Sequence, residues 1–309
     1  MGKPIVAISV GDLNGIGFEI ALDSHEEVKK LCRPVYFISK NTAKKCAELL
    51  NKNLPEDFEC FEVKDDFKIT AGKISKRAGS ASFESFMSAL KHTASGKSDA
   101  IVTLPISKEA WKKANVKFVG HTDVLRDYFK QNAIMALGCK RMMVALFTDH
   151  IRLKEISKKI KTKKIFEFLK LLKTTTNLKK AAVLGLNPHA GDGGALGNEE
   201  AKIVKAAKAA NKFFGEDIFD APMVADAVFN PLNRDKYEWF VAMYHDQGLA
   251  PLKALYFEES INVSLGLPIV RTSVDHGTAF DIAYKNAKPS NKSYLNAVRY
   301  AIMLVQTNG

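Results

Sequence analysis

Three histidines occupy the same place relative to the residues before them. The run "MMVALFTDH" ends at His150, "AAVLGLNPH" ends at His189, and "WFVAMYH" ends at His245. Each follows an apolar stretch closely. Neutral imidazole is the commonest metal-binding side chain, and three protein ligands with an open position are the pattern of a catalytic rather than a structural zinc site. The three are far apart in the chain and form no HExxH-type spacing, so the fold must bring them together. The third lies in "YHDQGLAPLK", Tyr244 to Lys253, which places a lysine in the same strand–loop unit as a ligand histidine. Of the remaining histidines, His25 and His92 lie in Lys-rich, helix-like surroundings and are expected at the surface. His121 and His276 lie beside glycines, where a ligand can approach.

The elements that must position these groups alternate. Strand-like runs are "PIVAISV", "PVYFIS", "AIVTLPI", "MMVALFT", "KAAVLGL", "WFVAMY" and "INVSLGLP". Helix-like segments include "SASFESFMSALKHTAS", "NEEAKIVKAAKAANKFFG" and "SYLNAVRYAIMLVQ". Such alternation predicts an α/β fold with a substantially parallel sheet. In such sheets ligands bind beyond the carboxyl ends of strands, where all three histidines fall. The turn "SVGDLNGIGFEI", Ser9 to Ile20, reads as strand, glycine turn and helix. It is neither the dinucleotide fingerprint GxGxxG nor a P-loop, and it reads equally well as a ligand-facing turn or an ordinary tight one. "NPHAGDGGALGNEE", Asn187 to Glu200, carries four glycines after His189, with Asn198 as the expected N-cap of the next helix. A loop this rich in glycine is expected to pack against substrate or metal.

The 309 residues, 46% of them hydrophobic, suffice for a sizeable core and point to two lobes. With no repeat and no low-complexity linker, the lobes must be joined by crossing segments. No apolar stretch approaches the ~20 residues needed to cross a bilayer, and the start "MGKPIVAISVGD" reads as neither a signal peptide nor a myristoylation site. Cys32, Cys46, Cys60 and Cys139 form no CxxC pair and read as reduced, mostly buried groups. A cytoplasmic protein is expected. The net charge of +12 comes from dispersed lysines. The densest run, "LKEISKKIKTKKIFEFLKLLK" (Leu153 to Lys173), is predicted to be one amphipathic helix with a solvated basic face. No nucleic-acid partner and no membrane partner are expected, while the charge would attract phosphorylated substrates over long range.

The blocks "GDLNGIGFEI", "VTLPISKEAW", "GHTDVL", "LNPHAGDGGALGNEE", "YHDQGLAPLK" and "GLPIVRTSVDHGTAFDIA" occur in one order along nearly the whole chain. Together they resemble the 4-hydroxythreonine-4-phosphate dehydrogenase family of pyridoxal phosphate biosynthesis. "DHGTAFDIA" and the first turn are also similar to parts of the wider isocitrate and isopropylmalate dehydrogenase fold, which binds NAD without a Rossmann fingerprint.

The resemblance implies two α/β/α lobes around a cleft: residues 1–130 with 271–309, carrying both termini and part of the NAD site, and residues 131–270, carrying the metal ligands and dimer contacts. It implies a homodimer whose active site is shared between subunits. One divalent metal, zinc before magnesium or cobalt, would be held by His150, His189 and His245. The substrate would be a small phosphorylated molecule bound by His121, Thr122, Lys253, Asn262 and Arg271. The cofactor would be NAD, or NADP, lined by Asp275, His276, Gly277 and Thr278. Apart from the resemblance, Asp246 reads equally as a carboxylate that orients a ligand histidine or as a loop cap, and Asp275 likewise as part of the NAD site or a loop cap. Leu13, Asn14 and Phe18 replace the usual proline, alanine and proline of the first turn. Asp123 stands for a glutamate and Arg152 for a proline. The implied reaction is oxidation and decarboxylation of 4-phosphooxy-L-threonine. The alternatives are a sister enzyme acting on D-threonate or D-erythronate 4-phosphate and, from other classes, a metal-dependent hydrolase or a basic nucleic-acid binder.

Overall fold

The computed structural model describes residues 2–308. Along the chain the strands are β1 (Ile5–Ser9), β2 (Arg33–Phe37), β3 (Cys60–Phe61), β4 (Ala100–Thr103), β5 (Ile134–Cys139), β6 (Met142–Leu146), β7 (Ala181–Leu184), β8 (Phe219–Met223), β9 (Trp239–Ala242), β10 (Ile261–Leu265) and β11 (Val270–Val274). Helices occupy most of the intervening segments, so the chain has the expected α/β character. It divides into two compact units, Met1–Ala133 with Leu267–Gly309, and Ile134–Gly266.

In the first unit the strands run β3-β2-β1-β4-β11, and every pairing is parallel. The helix Lys76–Ala94 lays Phe86, Ala89 and Leu90 against Ala7, Phe37 and Ile101 of the sheet, with Trp111 beside them. Each large apolar side chain buried in this way stabilises the unit by roughly 1.5–3 kcal/mol. The indole Nε1–H of Trp111 donates to Ser82 Oγ at 2.9 Å, so its polar edge is satisfied inside the core.

In the second unit the order is β10-β5-β6-β9-β7-β8. The strands β6, β9, β7 and β8 are mutually parallel, and β5 runs antiparallel to both β6 and β10. Leu137, Val144, Leu146, Leu184, Phe240 and Leu252 form the centre of its core.

The basic run after His150 departs from the single helix its composition predicts. It forms a 3₁₀ turn at Leu153–Glu155 and a short helix at Ile156–Lys159. Extended backbone at Ile160 and Lys161 follows, and then the helix Thr162–Thr176. The apolar residues explain the break. At ~100° per residue, Ile165, Leu169 and Leu172 of one continuous helix would point away from Ile156 and Ile160. All five are buried, which a straight helix could not achieve.

Two histidines expected at the surface are not there. His25 is 1% exposed, with Nδ1 3.0 Å from Tyr36 Oη and Nε2 3.2 Å from Asp57 Oδ1. Its ring packs against Phe58 and Tyr36. His92 is half-buried, edge-on to Phe37 and Phe61. Burial pushes its pKa down, assisted by Lys97. The four cysteines are free, with Cys32, Cys46 and Cys139 buried and Cys60 partly so. Burial raises Cys32 and Cys46 to about 12, which keeps them as unreactive thiols.

The first glycine turn closes over the carboxyl ends of β1 and β4. Gly11 has φ 72°, and a Cβ there would lie 2.2 Å from the Pro105 carbonyl oxygen. The Asp12 N–H donates to that same oxygen at 2.8 Å. The departures in this turn have structural roles. Asn14 accepts from the Thr70 N–H at 2.9 Å and donates to the Lys73 carbonyl at 2.6 Å, tying in the Thr70–Ser75 segment. Phe18 is fully buried against Phe58. Asp12 itself is enclosed: Oδ1 accepts the Asn14 N–H at 3.0 Å, and Oδ2 has no hydrogen-bond partner. Burial raises its pKa to about 6 from 3.8.

Below about pH 4 Asp12 is protonated whether folded or not, and its full contribution to stability is present. As pH rises from about 4 through about 6, the unfolded chain is ionised while the folded one still holds its proton, and up to about 3 kcal/mol is lost, the loss being complete above the folded value. Urea denaturation of wild type and Asp12→Asn should therefore show the variant gaining on wild type between about pH 4 and pH 7.5. A stability difference that stays flat across that range would contradict the burial argument.

Candidate active site

The three strands that precede the candidate metal histidines are immediate neighbours. β6, β9 and β7 lie side by side and parallel, so His150, His245 and His189 all emerge from one edge of the second unit's sheet. Side-chain bonds join the strand ends. The buried Thr148 hydroxyl donates to the Met243 carbonyl at 2.6 Å, linking the segment after β6 to the end of β9. Gln247 spans the next gap: its Oε1 accepts the Met243 N–H at 2.7 Å, and its Nε2 donates to the Gly185 carbonyl at 2.7 Å. The glutamine of "YHDQ" is thus a cross-strand tie between β9 and β7, a role that sequence reading did not assign.

The rings of His150 and His245 stand 5.5 Å apart between centroids. His150 is exposed and follows Asp149, whose Oδ1 accepts the His150 N–H. His245 opens the helix His245–Tyr256. Its Nδ1 lies 2.7 Å from Asp246 Oδ1. A carboxylate at one ring nitrogen fixes the tautomer and leaves Nε2 with its lone pair for a cation. His189 is exposed in the turn Pro188–Gly194. The structure pairs His150 with His245 but does not gather all three: among the described residues, the group of His, Cys, Asp or Glu with ligand atoms within 4.8 Å of one another is His25, Glu26 and Asp57. There the Lys29 ammonium already bridges Glu26 and Asp57, at 2.8 and 2.6 Å. The donor chemistry at His150 and His245, two adjacent imidazoles with one oriented by a carboxylate, fits a borderline divalent ion such as zinc.

The His189 turn has an uncommon backbone. His189, Ala190, Gly191, Asp192 and Gly193 all have positive φ, from 43° to 85°, and three of them carry side chains. Beneath the turn lie two adjacent glutamates. Asn198 occupies the N-cap position of the helix Glu199–Phe214, but its side chain makes no cap bond. Glu200 Oε1 instead reaches back to the Leu186 and Asn187 N–H groups, at 2.9 and 2.8 Å. The Asn187 amide donates to Glu199 Oε2 at 3.0 Å and to Glu200 Oε2 at 3.1 Å. The bond from Ser157, then that from Asn187, holds Glu199 down to about 2. Burial would raise Glu200, but the bonds from Asn187 and neighbouring N–H groups bring it below the ordinary range.

In the same unit Lys253 lies two turns along the helix from His245, half-buried, with Nζ 3.4 Å from Ser260 Oγ and 5.0 Å from the Phe257 ring centre. Asn262, half-buried on β10, lies opposite Leu137 of β5.

The first unit holds a buried polar cluster. Arg271 on β11 donates from Nη2 to Thr103 Oγ1 on β4 at 2.7 Å, and the same nitrogen lies 3.3 Å from His121 Nδ1. The His121 ring sits against Phe86 and Trp111, with centroids at 4.4 and 5.5 Å. Burial, then the Arg271 charge, drives the His121 pKa well below its ordinary value. Burial lowers Arg271 to about 10, still cationic near neutrality. His121 is therefore neutral. With Nδ1 accepting from the guanidinium, its proton sits on Nε2, which is buried and has no hydrogen-bond partner. A neutral N–H donor beside a fixed cation suits an anionic or hydroxyl-bearing ligand. Thr122, half-buried, follows in the first turn of the helix His121–Phe129.

The "DHGT" segment meets the first glycine turn. The Ile16 N–H donates to the Thr278 carbonyl at 3.1 Å, and the Tyr284 hydroxyl donates to the Leu13 carbonyl at 2.7 Å. The Asp275 N–H donates to Ser293 Oγ, and His276 Nδ1 lies 3.0 Å from the Gly277 carbonyl. Gly277 is exposed. Two segments far apart in the sequence are thus joined backbone to backbone.

Residues 30–301 match the family model described as pyridoxal phosphate biosynthetic protein PdxA. The chain is 54% identical over 304 residues to a 4-hydroxythreonine-4-phosphate dehydrogenase of Sulfurimonas denitrificans, covering 98% of this chain and 99% of that protein. It is 45% identical to the enzyme of the same name from Helicobacter pylori strain Shi470, over 97% and 99% of the two chains. Among solved structures, it resembles a 4-hydroxythreonine-4-phosphate dehydrogenase from Burkholderia phymatum with a TM-score of 0.81 and 31% identity, over 98% and 99% of the two chains. No helix of the described residues is long and apolar enough to cross a membrane. Matched blocks, full-length relatives and solved structures agree, and the chain belongs to the 4-hydroxythreonine-4-phosphate dehydrogenase (PdxA) family of pyridoxal phosphate biosynthesis.

Proposed function

We propose that this chain oxidises 4-phosphooxy-L-threonine with NAD, in a reaction that requires a divalent metal, to a β-keto acid that loses carbon dioxide to give 3-amino-2-oxopropyl phosphate. The observation that carries the reading is the emergence of His150, His245 and His189 from three adjacent parallel strands in a chain of this family. These three imidazoles would hold the cation, zinc before magnesium or cobalt. The chemistry such a cation supplies when bound is polarisation of the substrate's secondary oxygen, which eases loss of its proton and later draws electron density from the breaking carbon–carbon bond.

When bound, NAD would supply the oxidant, taking a hydride (two electrons and a hydrogen nucleus) from the carbinol carbon, with release of the hydroxyl proton. In the resulting β-keto acid the bond to the carboxylate breaks, carbon dioxide leaves, and the carbon left behind takes a proton. The residues of this chain bind and orient. Arg271 offers a bidentate fork and Lys253 a point charge for the substrate's carboxylate and phosphate. His121 offers its Nε2–H, with Thr122 and Asn262 as further polar contacts. Asp275, His276, Gly277 and Thr278 would line the nicotinamide cofactor, and Asp246, 2.7 Å from His245 Nδ1, would set that ring's tautomer. A cytoplasmic homodimer whose subunits share the active site belongs to the same reading.

The test is a comparison of reduced-nicotinamide formation from 4-phosphooxy-L-threonine and from D-threonate or D-erythronate 4-phosphate, with and without chelator. Turnover of the amino substrate, abolished by chelator and restored by metal, is expected. Preference for the non-amino acids would reassign the substrate, and metal-dependent hydrolysis without nicotinamide would overturn the oxidation. His189→Ala should lower both metal content and kcat/KM, the latter by roughly 100-fold or more. Full metal content with near-normal turnover would remove His189 from the site. Arg271→Lys should lower kcat/KM for the substrate by about 10-fold or more, since one point charge replaces a planar fork.

A further inference from the structure

We infer that Glu200 is a positioning residue for the metal ligand His189: its buried carboxylate holds the left-handed turn in the shape that presents the imidazole. The inference rests on the metal reading above.

The geometry is that of a carboxylate enclosed by the loop it organises. Oε1 takes the N–H groups of Leu186 and Asn187, the residues that lead out of β7 toward His189. Oε2 takes the Asn187 side-chain amide, which Glu199 also holds. Three donors converge on one side chain that is 6% exposed. The turn folds down onto it: a Cβ at Gly191 would lie 2.7 Å from Glu200 Oε2. Positive φ at His189, Ala190 and Asp192 has an energetic cost of order 1–3 kcal/mol per residue and persists only where surroundings over-determine it. Within the turn the Ala190 N–H donates to the Asn187 carbonyl and the Leu196 N–H to the Gly191 carbonyl, both at 3.1 Å, and the bonds to Glu200 anchor the Leu186–Asn187 entry from which that closed turn springs. They fix the backbone two and three residues before the imidazole, and they originate on a regular helix, Glu199–Phe214.

Ligand position, not bulk folding, is therefore what Glu200 is expected to control. Outer residues of this type alter metal affinity by about 10–100-fold when removed. The variant Glu200→Gln keeps an oxygen for the two backbone N–H groups and loses the acceptor for the Asn187 amide, so it tests orientation with the least risk to folding. Glu200→Ala removes all three bonds.

The decisive experiment titrates the full-length apoprotein with Co²⁺, reading the metal's visible absorption, for wild type, Glu200→Gln, Glu200→Ala, His189→Ala and the double variant His189→Ala/Glu200→Gln. Circular dichroism and thermal melting of each apoprotein are recorded in parallel. Expected are Co²⁺ dissociation constants that rise about 10-fold for Glu200→Gln and up to about 100-fold for Glu200→Ala. In the His189→Ala background, Glu200→Gln should add no further loss. Unchanged affinity in Glu200→Gln while His189→Ala binds weakly would overturn this inference and leave the metal reading standing. An equal loss in both backgrounds would overturn it as well, because Glu200 would then act on the whole unit. Unchanged affinity in His189→Ala would instead sink the metal reading, and the inference with it. Should Glu200→Ala fail to fold, the comparison of Glu200→Gln alone and with His189→Ala still decides.

Discussion

The alignment of three neighbouring strand ends governs the candidate metal site. A parallel sheet fixes strands by backbone bonds only as far as the ladder runs, and β6, β9 and β7 stop before their histidines. Beyond that point the Thr148 hydroxyl and both ends of the Gln247 amide carry the register onward. A one-residue slip would turn every side chain to the opposite face. His150 and His245 can face each other because the strands beneath them are held in step after the sheet ends.

The first unit solves a different problem, keeping charge inside an apolar wall. Arg271 is 2% exposed, and water is replaced around its guanidinium by Thr103 and His121. The same burial strips His121 of its charge, so the pair is one cation and one neutral donor rather than two repelling cations. Asp12 shows the opposite outcome: with one oxygen unpartnered, its carboxyl gives way by holding its proton to a higher pH. Both follow from the desolvation cost of buried charge.

The sequence disclosed strands where apolar runs were bounded by turns, and seven runs lie on observed strands. It hid β8, where Pro222 interrupts the run, and β5, whose alanine and glycine lack β-propensity. β11 falls inside the block "GLPIVRTSVDHGTAFDIA" and is absent from the strand-like runs. The metal-type histidines stood out because position relative to a strand is a local property. Gln247 and Glu200 did not, because their partners lie 62 and 13 or 14 residues away. The run after His150 has the apolar content of one helix, but its apolar residues lie on two opposite faces, and only the break at Ile160 and Lys161 buries both.

The two tryptophans of the chain are divided between the units. Trp111 lies in the core of the first beside His121, and Trp239 begins β9 of the second. Both are buried. Nature has thus installed one intrinsic fluorophore in each half, and replacing either with phenylalanine leaves an emission that follows a single half. Sequential melting of the halves, or their cooperative loss, becomes visible without any attached dye.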